Sequence, residues 1–174
     1  MFARTRRLLL RPRWSEDDRT VALAMPNDAI HSGWDRSLFG GPGHAATDDE
    51  SHELLMMLRT DGSPMLVGGI GVAPSGVGTH LTFWVSEDHR NNGLATEAGQ
   101  AMLGIASHAL GIRNLSAAVP EGNQAAARVL EKLEFTVSGR TVRRVSDRDS
   151  LVPAAVFSRT LGNRAGILAP ALAA

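Results

Sequence analysis

The chain has 174 residues, of which 43% are hydrophobic and 21% charged, and this suits one globular domain with a substantial core. Eighteen basic and 18 acidic residues give a formal net charge of zero, which argues against bulk electrostatic binding to nucleic acid or to an anionic membrane. The absence of cysteine excludes disulfides, thiolate metal sites and cysteine nucleophiles. The apolar run Leu8–Leu10 is too short for a signal-peptide core or a membrane span, and we expect a cytoplasmic protein.

A strand and a helix are predicted at the start of the chain. The strand lies in "RRLLLRP" and ends at Pro12, which cannot donate to a sheet. The next stretch, "SEDDRTVALAM", predicts a helix over about residues 15–25. Ser15 followed by Asp18 resembles a capping box, and the acidic residues of the first turn suit the helix dipole.

A loop, a helix and a hairpin are predicted next. Residues 26–46 are punctuated by proline and glycine and predict a loop with one helical turn. The stretch "DDESHELLMMLRT" is predicted to be helical, because Leu54, Leu55 and Leu58 follow an acidic start at helical spacing. The runs "MLVGGIGV" and "THLTFWV", joined by the turn signal "APSGVG", predict an antiparallel hairpin.

Helices and strands alternate in the second half. Apolar residues at helical spacing from Leu94 predict a helix that ends at Gly111, and "NQAAARVLEKLEF" predicts another. Strands are predicted at "IRNLSAAV", "TVSGRTVRRV" and "PAAVFSRTL". The strand–helix–strand unit over residues 81–119 should be parallel with a right-handed crossover. We therefore expect one α/β domain over residues 1–162 and a loosely ordered tail over residues 163–174.

The stretch "SEDHRNNGLATEA" lies between a predicted strand and a predicted helix. The first N–H groups of a helix lack partners within it, Gly93 allows close approach of a ligand, and Arg90 adds a forked positive charge. These features suit a phosphate or pyrophosphate cradle. The alternative is an ordinary turn with Arg90 in solvent. No loop ends in Gly-Lys-Ser/Thr, and "GPGHAA" at residues 41–46 lacks the flanking strand and helix of a dinucleotide fingerprint.

Three blocks occur in chain order: "TRRLLLRPRWSEDD", "FWVSEDHRNNGLATEA" and "NQAAARVLEKLEF". They resemble the GNAT acetyltransferases, and in particular their RimJ/RimL-like branch of ribosomal-protein N-terminal acetyltransferases. "RNNGLA" resembles the Arg/Gln-x-x-Gly-x-Gly/Ala signature of the superfamily. All three blocks resemble motifs of the branch, in the right order from about residue 5 to 135. The resemblance implies a GNAT-like acyl-CoA N-acyltransferase fold, with a mixed central sheet of about six to seven strands flanked by helices.

The resemblance also implies a mechanism and a site. An acetyl group passes directly from acetyl-CoA to a primary amine on a protein N-terminus or a small molecule, without a metal or a covalent enzyme intermediate. The strand ending at Val85 should diverge from its neighbour and admit the pantetheine arm, which backbone groups of Phe83, Trp84 and Val85 would hold. Asn123 would contact the same arm, or would only cap its helix. The residues implied for the pyrophosphate are Arg90, Asn91, Asn92, Gly93, Leu94, Ala95 and Thr96.

The proton-transfer groups depart from the family pattern. Leu130 and Ala126 stand where GNAT enzymes often have a tyrosine acid and the RimL-like branch often has a serine, and the chain has no tyrosine. The leaving thiolate would then take its proton from water. His80 is the candidate general base, because it begins the strand that lines the acetyl site and titrates near neutrality; the alternative is a half-exposed structural histidine. By family analogy, the acceptor site is walled by His31, Trp34 and Asp35.

Two other functions stay open. The same fold could serve as a non-catalytic CoA- or acyl-CoA-binding sensor or partner subunit, since both side-chain acids are missing. A plain nucleotide-binding domain would require ATP or NAD to compete with acetyl-CoA at the Arg90 turn. The fold does not fix the acceptor. The resemblance allows a homodimer, and we expect neither nucleic acid nor a membrane as a partner.

Overall fold

The computed structural model describes residues 1–25, 51–75, 78–145 and 150–162. Three α-helices are described there, α1 (Asp18–Ala24), α2 (Leu94–His108) and α3 (Gln124–Lys132), with short 3₁₀ helices at Ser15–Asp17 and Glu87–His89. The strands are β1 (Ala3–Arg4), β2 (Leu8–Arg11), β3 (His52–Leu58), β4 (Met65–Ser75), β5 (Gly78–Val85), β6 (Asn114–Pro120), β7 (Thr136–Val145) and β8 (Ser150–Thr160). They form one sheet in the order β1-β2-β3-β4-β5-β6-β8-β7.

The predicted α/β class with a mixed sheet is confirmed, and the sheet has eight strands where about six to seven were expected. The hairpin, the helix after Gly93, the second helix and the last three strands all form where they were predicted. The predicted tail, residues 163–174, lies outside the described residues. None of the described helices combines the length and the apolar character needed to cross a bilayer.

The predicted helix at "DDESHELLMMLRT" is wrong, because residues 52–58 form strand β3. Leu54 and Met56 are buried on one face of the sheet, and Leu55 and Met57 on the other. A strand that is covered on both faces is apolar at every position, so its sequence lacks the alternation that identifies a half-exposed strand. Helical spacing among its leucines was therefore uninformative.

The first helix begins later than predicted and is capped differently. A 3₁₀ turn over Ser15–Asp17 precedes α1, and the Asp17 carboxylate, not Asp18, accepts the N–H of Trp14 at 2.8 Å. Arg11 donates to both oxygens of Asp17 at 2.6 Å. The hydrogen bonds from Arg11 lower the pKa of Asp17. The ion pair therefore fastens the start of α1 to the end of β2.

The sheet has a core on each side. On the α2 face, Ile70, Leu81 and Met102 belong to a large cluster that reaches α3. On the α1 face, Val21 packs with Leu55, Met57, Ala73 and Trp84. The sheet therefore has an α2 face and an α1 face, each covered by its own cluster.

The pairing of β5 with β6 is parallel, as predicted, and all the other neighbouring strands are antiparallel. The parallel ladder is short: it joins Thr79 to Leu115 and His80 to Ser116. The antiparallel ladder of β5 with β4 continues to Val85. Strand β5 therefore stays attached to β4 while it parts from β6.

Candidate functional site

A cleft opens where β5 and β6 part. It has a volume of about 500 Å³, which lies within the usual range for small-molecule sites. Its walls are Leu81–Val85 of β5, Ala117–Pro120 of β6, the turn after β5 and one side of α3. The predicted divergence of the two strands therefore produces a slot that is long enough to run from the sheet to the start of α2.

The turn from β5 to α2 presents a helix start to this cleft. Asn91 (φ 61°) and Gly93 (φ 73°) both adopt the left-handed conformation, which bends the chain sharply. Gly93 supplies no side-chain cap, and the first hydrogen bond of the helix runs from the Glu97 N–H to the Gly93 carbonyl at 3.0 Å. Within the described ranges, the N–H groups of residues 94–96 have no backbone partner, and these residues line the cleft. Such groups, at the positive end of a helix dipole, favour an anion.

Thr5 and Arg7 hold this turn from behind. Glu97, in the first turn of α2, accepts hydrogen bonds from Thr5 Oγ1 at 2.6 Å and from the backbone N and Nε of Arg7 at 2.7 Å. Arg7 Nη1 also donates to the Asn92 carbonyl at 2.9 Å. Burial alone would raise the pKa of Glu97, but the hydrogen bonds from Thr5 and Arg7 lower it below its usual value. The ionised carboxylate thus ties the N-terminal strands to the turn.

The third helix contributes Asn123 and two positions that bear on proton transfer. Asn123 Oδ1 accepts the Ala126 N–H at 3.1 Å and so caps α3, and Asn123 also lines the cleft. The cap uses only the oxygen, so the amide NH₂ can still face a ligand. Ala126 and Leu130 line the cleft as well, and Leu130 is also fully buried in the core. Neither side chain can donate a proton.

The charge of the cleft is one-sided. The described residues that line it include no Asp or Glu, and its basic members are Arg90, Arg128, Lys132 and Arg143. Arg90 Nε donates to the Val85 carbonyl at 3.3 Å, across the mouth of the turn. Positive charge around unpartnered N–H groups suits a ligand with several phosphates.

The place where β5 and β6 part, after the pair of His80 with Ser116, is called the fork below. His80 lies at its closed end, outside the lining of the cleft. Its Nδ1 lies 3.0 Å from Ser116 Oγ, and its Nε2 accepts the backbone N–H of Ala118 at 3.1 Å. Burial lowers the pKa of His80 to about 4, with Arg143 adding to the effect. At neutral pH the ring is therefore uncharged and both of its nitrogens are hydrogen bonded.

Glu53 is the second buried titratable group near the site. Burial raises its pKa to about 7, although the charge of Arg13 opposes this. Its Oε1 and the Thr82 hydroxyl are both buried without a hydrogen-bond partner among the described residues. The register places Glu53 opposite Gly71 and Gly71 opposite Thr82. Glu53 and Thr82 therefore share the α1 face, two strand spacings or roughly 10 Å apart.

The structure brings most of the predicted site residues to one cleft. Asn92 does not line it, but its Nδ2 donates to the His89 and Arg90 carbonyls at 3.3 and 3.1 Å and thereby shapes the turn. His31, Trp34 and Asp35 lie outside the described residues. The predicted residues that line the cleft are Phe83, Trp84, Val85, Arg90, Asn91, Gly93, Leu94, Ala95, Thr96 and Asn123.

The sequence-based interpretation missed Thr5, Arg7, Glu97 and Glu53. The first three meet across about 90 residues of chain, and only the order of the resembling blocks hinted that they converge. Nothing in the local sequence of β3 marks Glu53. Among the residues that the structure describes, no group of three or more His, Cys, Asp or Glu is placed to hold a metal ion.

Comparison with known proteins identifies a family for this chain. Residues 7–136 match the family model described as acetyltransferase (GNAT) domain. No curated protein matches the sequence.

Solved structures share the fold at low sequence identity. An acetyltransferase from Agrobacterium tumefaciens is 22% identical, with a TM-score of 0.63 over 91% of this chain and 94% of that one. RimL, a ribosomal L7/L12 α-N-protein acetyltransferase in complex with coenzyme A, is 12% identical, with a TM-score of 0.71 over 92% and 98%. Spermidine N-acetyltransferase from Vibrio cholerae, in complex with CoA and spermine, is 16% identical, with a TM-score of 0.69 over 89% and 96%.

Proposed function

The chain belongs to the GNAT acetyltransferase domain family, and on that premise we propose that it is an acetyl-CoA-dependent N-acetyltransferase that acetylates a primary amine directly. One observation carries this proposal: the cleft between β5 and β6 leads to the start of α2, where the N–H groups of residues 94–96 have no backbone partner in the described chain. A slot that ends in an anion-binding helix start suits a long ligand with phosphates at one end.

The residues present fit acetyl-CoA. The N–H groups of residues 94–96, with Arg90 beside them, would hold the pyrophosphate. Arg128 and Lys132 add positive charge on the α3 side of the cleft. The backbone of Phe83–Val85, which has no strand partner on the β6 side, would hold the pantetheine arm together with the Asn123 amide.

When bound, acetyl-CoA supplies the activated acetyl thioester that an amine attacks. The contribution of the chain is to orient the two reactants and to aim fixed backbone N–H groups of β5 at the reacting carbonyl. Ala126 and Leu130 cannot supply a proton, and none is needed from them, because a thiol is acidic enough to leave as the thiolate.

The acceptor amine is proposed to approach from the α1 face. On that side, Glu53 Oε1 and the Thr82 hydroxyl are buried without a hydrogen-bond partner in the part of the chain that the structure describes. With a pKa of about 7, the Glu53 carboxylate can attract an ammonium ion and take up its proton near neutral pH. The proposal therefore specifies a primary amine as the acceptor. His31, Trp34 and Asp35 remain predicted members of the acceptor site.

The test is calorimetric titration of the protein with acetyl-CoA, followed by a panel of amines and N-terminal peptides with detection of free thiol. We expect binding, and thiol release with at least one amine. The Gly93→Asp variant is the matched control, and it should neither bind nor release thiol. Failure of acetyl-CoA to bind the unmodified protein would contradict the proposal.

The second candidate is a CoA- or acyl-CoA-binding sensor with the same fold. It is favoured by Ala126 and by the fully buried Leu130, which leave both expected positions without a proton donor. The same experiment separates the two functions, because a sensor would bind acetyl-CoA without releasing thiol for any amine in the panel.

A further inference from the structure

We propose that His80 is a positioning residue that holds the fork between β5 and β6 open, with its neutral imidazole standing where a backbone group of β5 would otherwise bond to β6. The inference rests on the proposed function, because the cleft that it shapes is the proposed acetyl-CoA site. It assigns His80 a role different from that of a general base.

His80 lies at the end of the short parallel ladder between β5 and β6. His80 and Ser116 are the last residue pair between β5 and β6. The next residue of β6 whose N–H faces β5 is Ala118, and its partner is the His80 ring and not the β5 backbone. The side chain therefore bridges the strands at the point where the backbone bridge ends.

The hydrogen bonds of the His80 ring define its tautomer. Nε2 accepts the Ala118 N–H at 3.1 Å, so it carries no proton. The proton of the neutral ring then lies on Nδ1, which donates to Ser116 Oγ at 3.0 Å, and Ser116 Oγ in turn donates to the Thr79 carbonyl at 3.4 Å. The chain of bonds is complete only with this tautomer.

The backbone carbonyl of Ala118 is also hydrogen bonded to a side chain. It accepts from Arg143 Nη1 at 3.4 Å. Both backbone groups of Ala118 are thus satisfied by side chains, which removes the incentive for β6 to continue its ladder with β5. Since Ala118 lines the cleft, the position of the His80 ring sets the width of the cleft at its inner end.

The surroundings of the His80 ring favour its neutral form. A protonated ring would lose its acceptor at Nε2, would be largely buried, and would face the Arg143 cation. The neighbouring strands place two residues beside the ring: Ser116 on β6 and Ala73 on β4, each the register partner of His80. Neither residue carries a charge. A ring in this setting serves as a hydrogen-bonded spacer and is poorly suited to exchange protons with a substrate.

The test compares His80→Gln with His80→Ala, with His108→Gln as the control at an exposed histidine near the end of α2. A glutamine oxygen can accept the Ala118 N–H but cannot act as a base. We expect His80→Ala to weaken acetyl-CoA binding roughly tenfold, as the loss of a buried hydrogen bond predicts, and His80→Gln to restore it to within about threefold. The kcat of His80→Gln should stay near that of the unmodified protein, with an unchanged pH profile.

A general base would give a different split. In that case both variants would lose kcat by roughly a hundredfold or more while acetyl-CoA affinity stayed unchanged, and this result would overturn the proposal. Because His80→Ala removes a buried hydrogen bond and so also lowers stability, nitrogen NMR of the unmodified protein supplies an independent measurement. It should find the His80 proton on Nδ1 between pH 5 and 8; a proton on Nε2 would also overturn the proposal. The NMR result does not depend on acetyl-CoA, so it separates failure of this inference from failure of the proposed function.

Discussion

The turn at residues 90–96 and the fork at residues 80–118 both present backbone groups to the same cleft, but they treat these groups in opposite ways. In the turn, the N–H groups of residues 94–96 are without backbone partners in the described chain. At the fork, the N–H and the carbonyl of Ala118 are already bonded to His80 and Arg143. The cleft therefore has one end with available N–H groups, which we propose binds the phosphates and call the binding end, and one end sealed by the protein itself. The first end supplies hydrogen bonds, and the second supplies only shape.

The largest expected effect is at the binding end. Gly93→Asp places a carboxylate beside the unpartnered N–H groups, where it would repel phosphate, and we expect acetyl-CoA affinity to fall by about 1,000-fold or more, roughly 4 kcal/mol. Gly93→Ala should cost only about fivefold, from the left-handed backbone, because an added Cβ meets nothing nearer than Arg7 Nη2 at 3.6 Å. Calorimetry would measure both.

The control for these variants is Gly104→Ala in the middle of α2, where an added Cβ has no atom within 4 Å. It should leave affinity unchanged. If Gly93→Asp bound acetyl-CoA as well as Gly104→Ala did, the turn would not be the binding end of the cleft.

The next effect concerns two buried titratable groups, His80 at the fork and Glu53 on the α1 face. The Glu53 pKa is raised from 4.5 to about 7, so its favourable contribution is complete below pH 4.5 and is lost as the pH rises through 7. The His80 pKa is lowered from 6.5 to about 4, so its contribution is complete above pH 6.5 and is lost as the pH falls through 4. Each shift corresponds to up to about 3 kcal/mol of stability.

Between pH 4.5 and 6.5 these two contributions oppose each other, and the unmodified protein should show little change in the free energy of unfolding. Glu53→Gln should lose stability as the pH falls across that window, whereas His80→Gln should gain it. Urea unfolding at several pH values would measure this. Parallel curves for the two variants would mean that the two groups do not titrate as described. Glu53→Gln should also be more stable than the unmodified protein at pH 8 and less active, if Glu53 serves the acceptor.

A smaller effect tests the support behind the turn. Arg7→Ala removes the bonds from the Arg7 side chain to Glu97 and to the Asn92 carbonyl. We expect roughly a tenfold loss of acetyl-CoA affinity, because the N–H groups of the turn would be held less firmly. Arg6→Ala is the matched control, since Arg6 is exposed. The hydrogen bond that the structure describes for Arg6 is accepted by its backbone carbonyl, which the substitution keeps. Equal affinities for the two variants would show that the turn holds its shape without Arg7.

The smallest effect separates the two roles of Asn123. Asn123→Ser keeps a side-chain oxygen for the cap but removes the amide NH₂, so stability should change by less than about 0.5 kcal/mol while acetyl-CoA affinity falls by about threefold. Asn123→Ala should lose about 1 kcal/mol of stability as well. If Asn123→Ser bound acetyl-CoA as tightly as the unmodified protein, Asn123 would be a helix cap alone.

Local patterns were enough to predict the turn after β5 and the helix that follows it. The residues of the turn and of α2 are contiguous, and Gly93 and the helix that follows it express their structure within one short stretch of chain. The hairpin and β6 were equally readable, because their alternating or apolar runs are bounded by turn residues. The helix dipole and the unpartnered N–H groups then follow from geometry that every helix shares.

The rest depends on contacts between distant parts of the chain. The sequence could not distinguish β3 from a helix, since strands on both sides and cores on both faces make residues 54–58 uniformly apolar. The pairing of Arg7 with Glu97 joins residues 90 positions apart. For His80 the residue type suits a base or a spacer equally well, and only the neighbouring Ala118 N–H and Ser116 hydroxyl separate the two roles.

The thin parallel ladder also has a consequence for how the chain folds. Strands β1 to β5 pair in chain order, each with its neighbour in sequence, while β6, β8 and β7 pair among themselves and reach β5 through two residue pairs. Sequence neighbours find each other first, so the early half of the sheet can assemble before β6 has been synthesised. We expect the joining of the two halves to be the last event in folding. A ligand seated along that seam would act on the reverse reaction, by slowing the separation of the halves rather than by hastening their meeting.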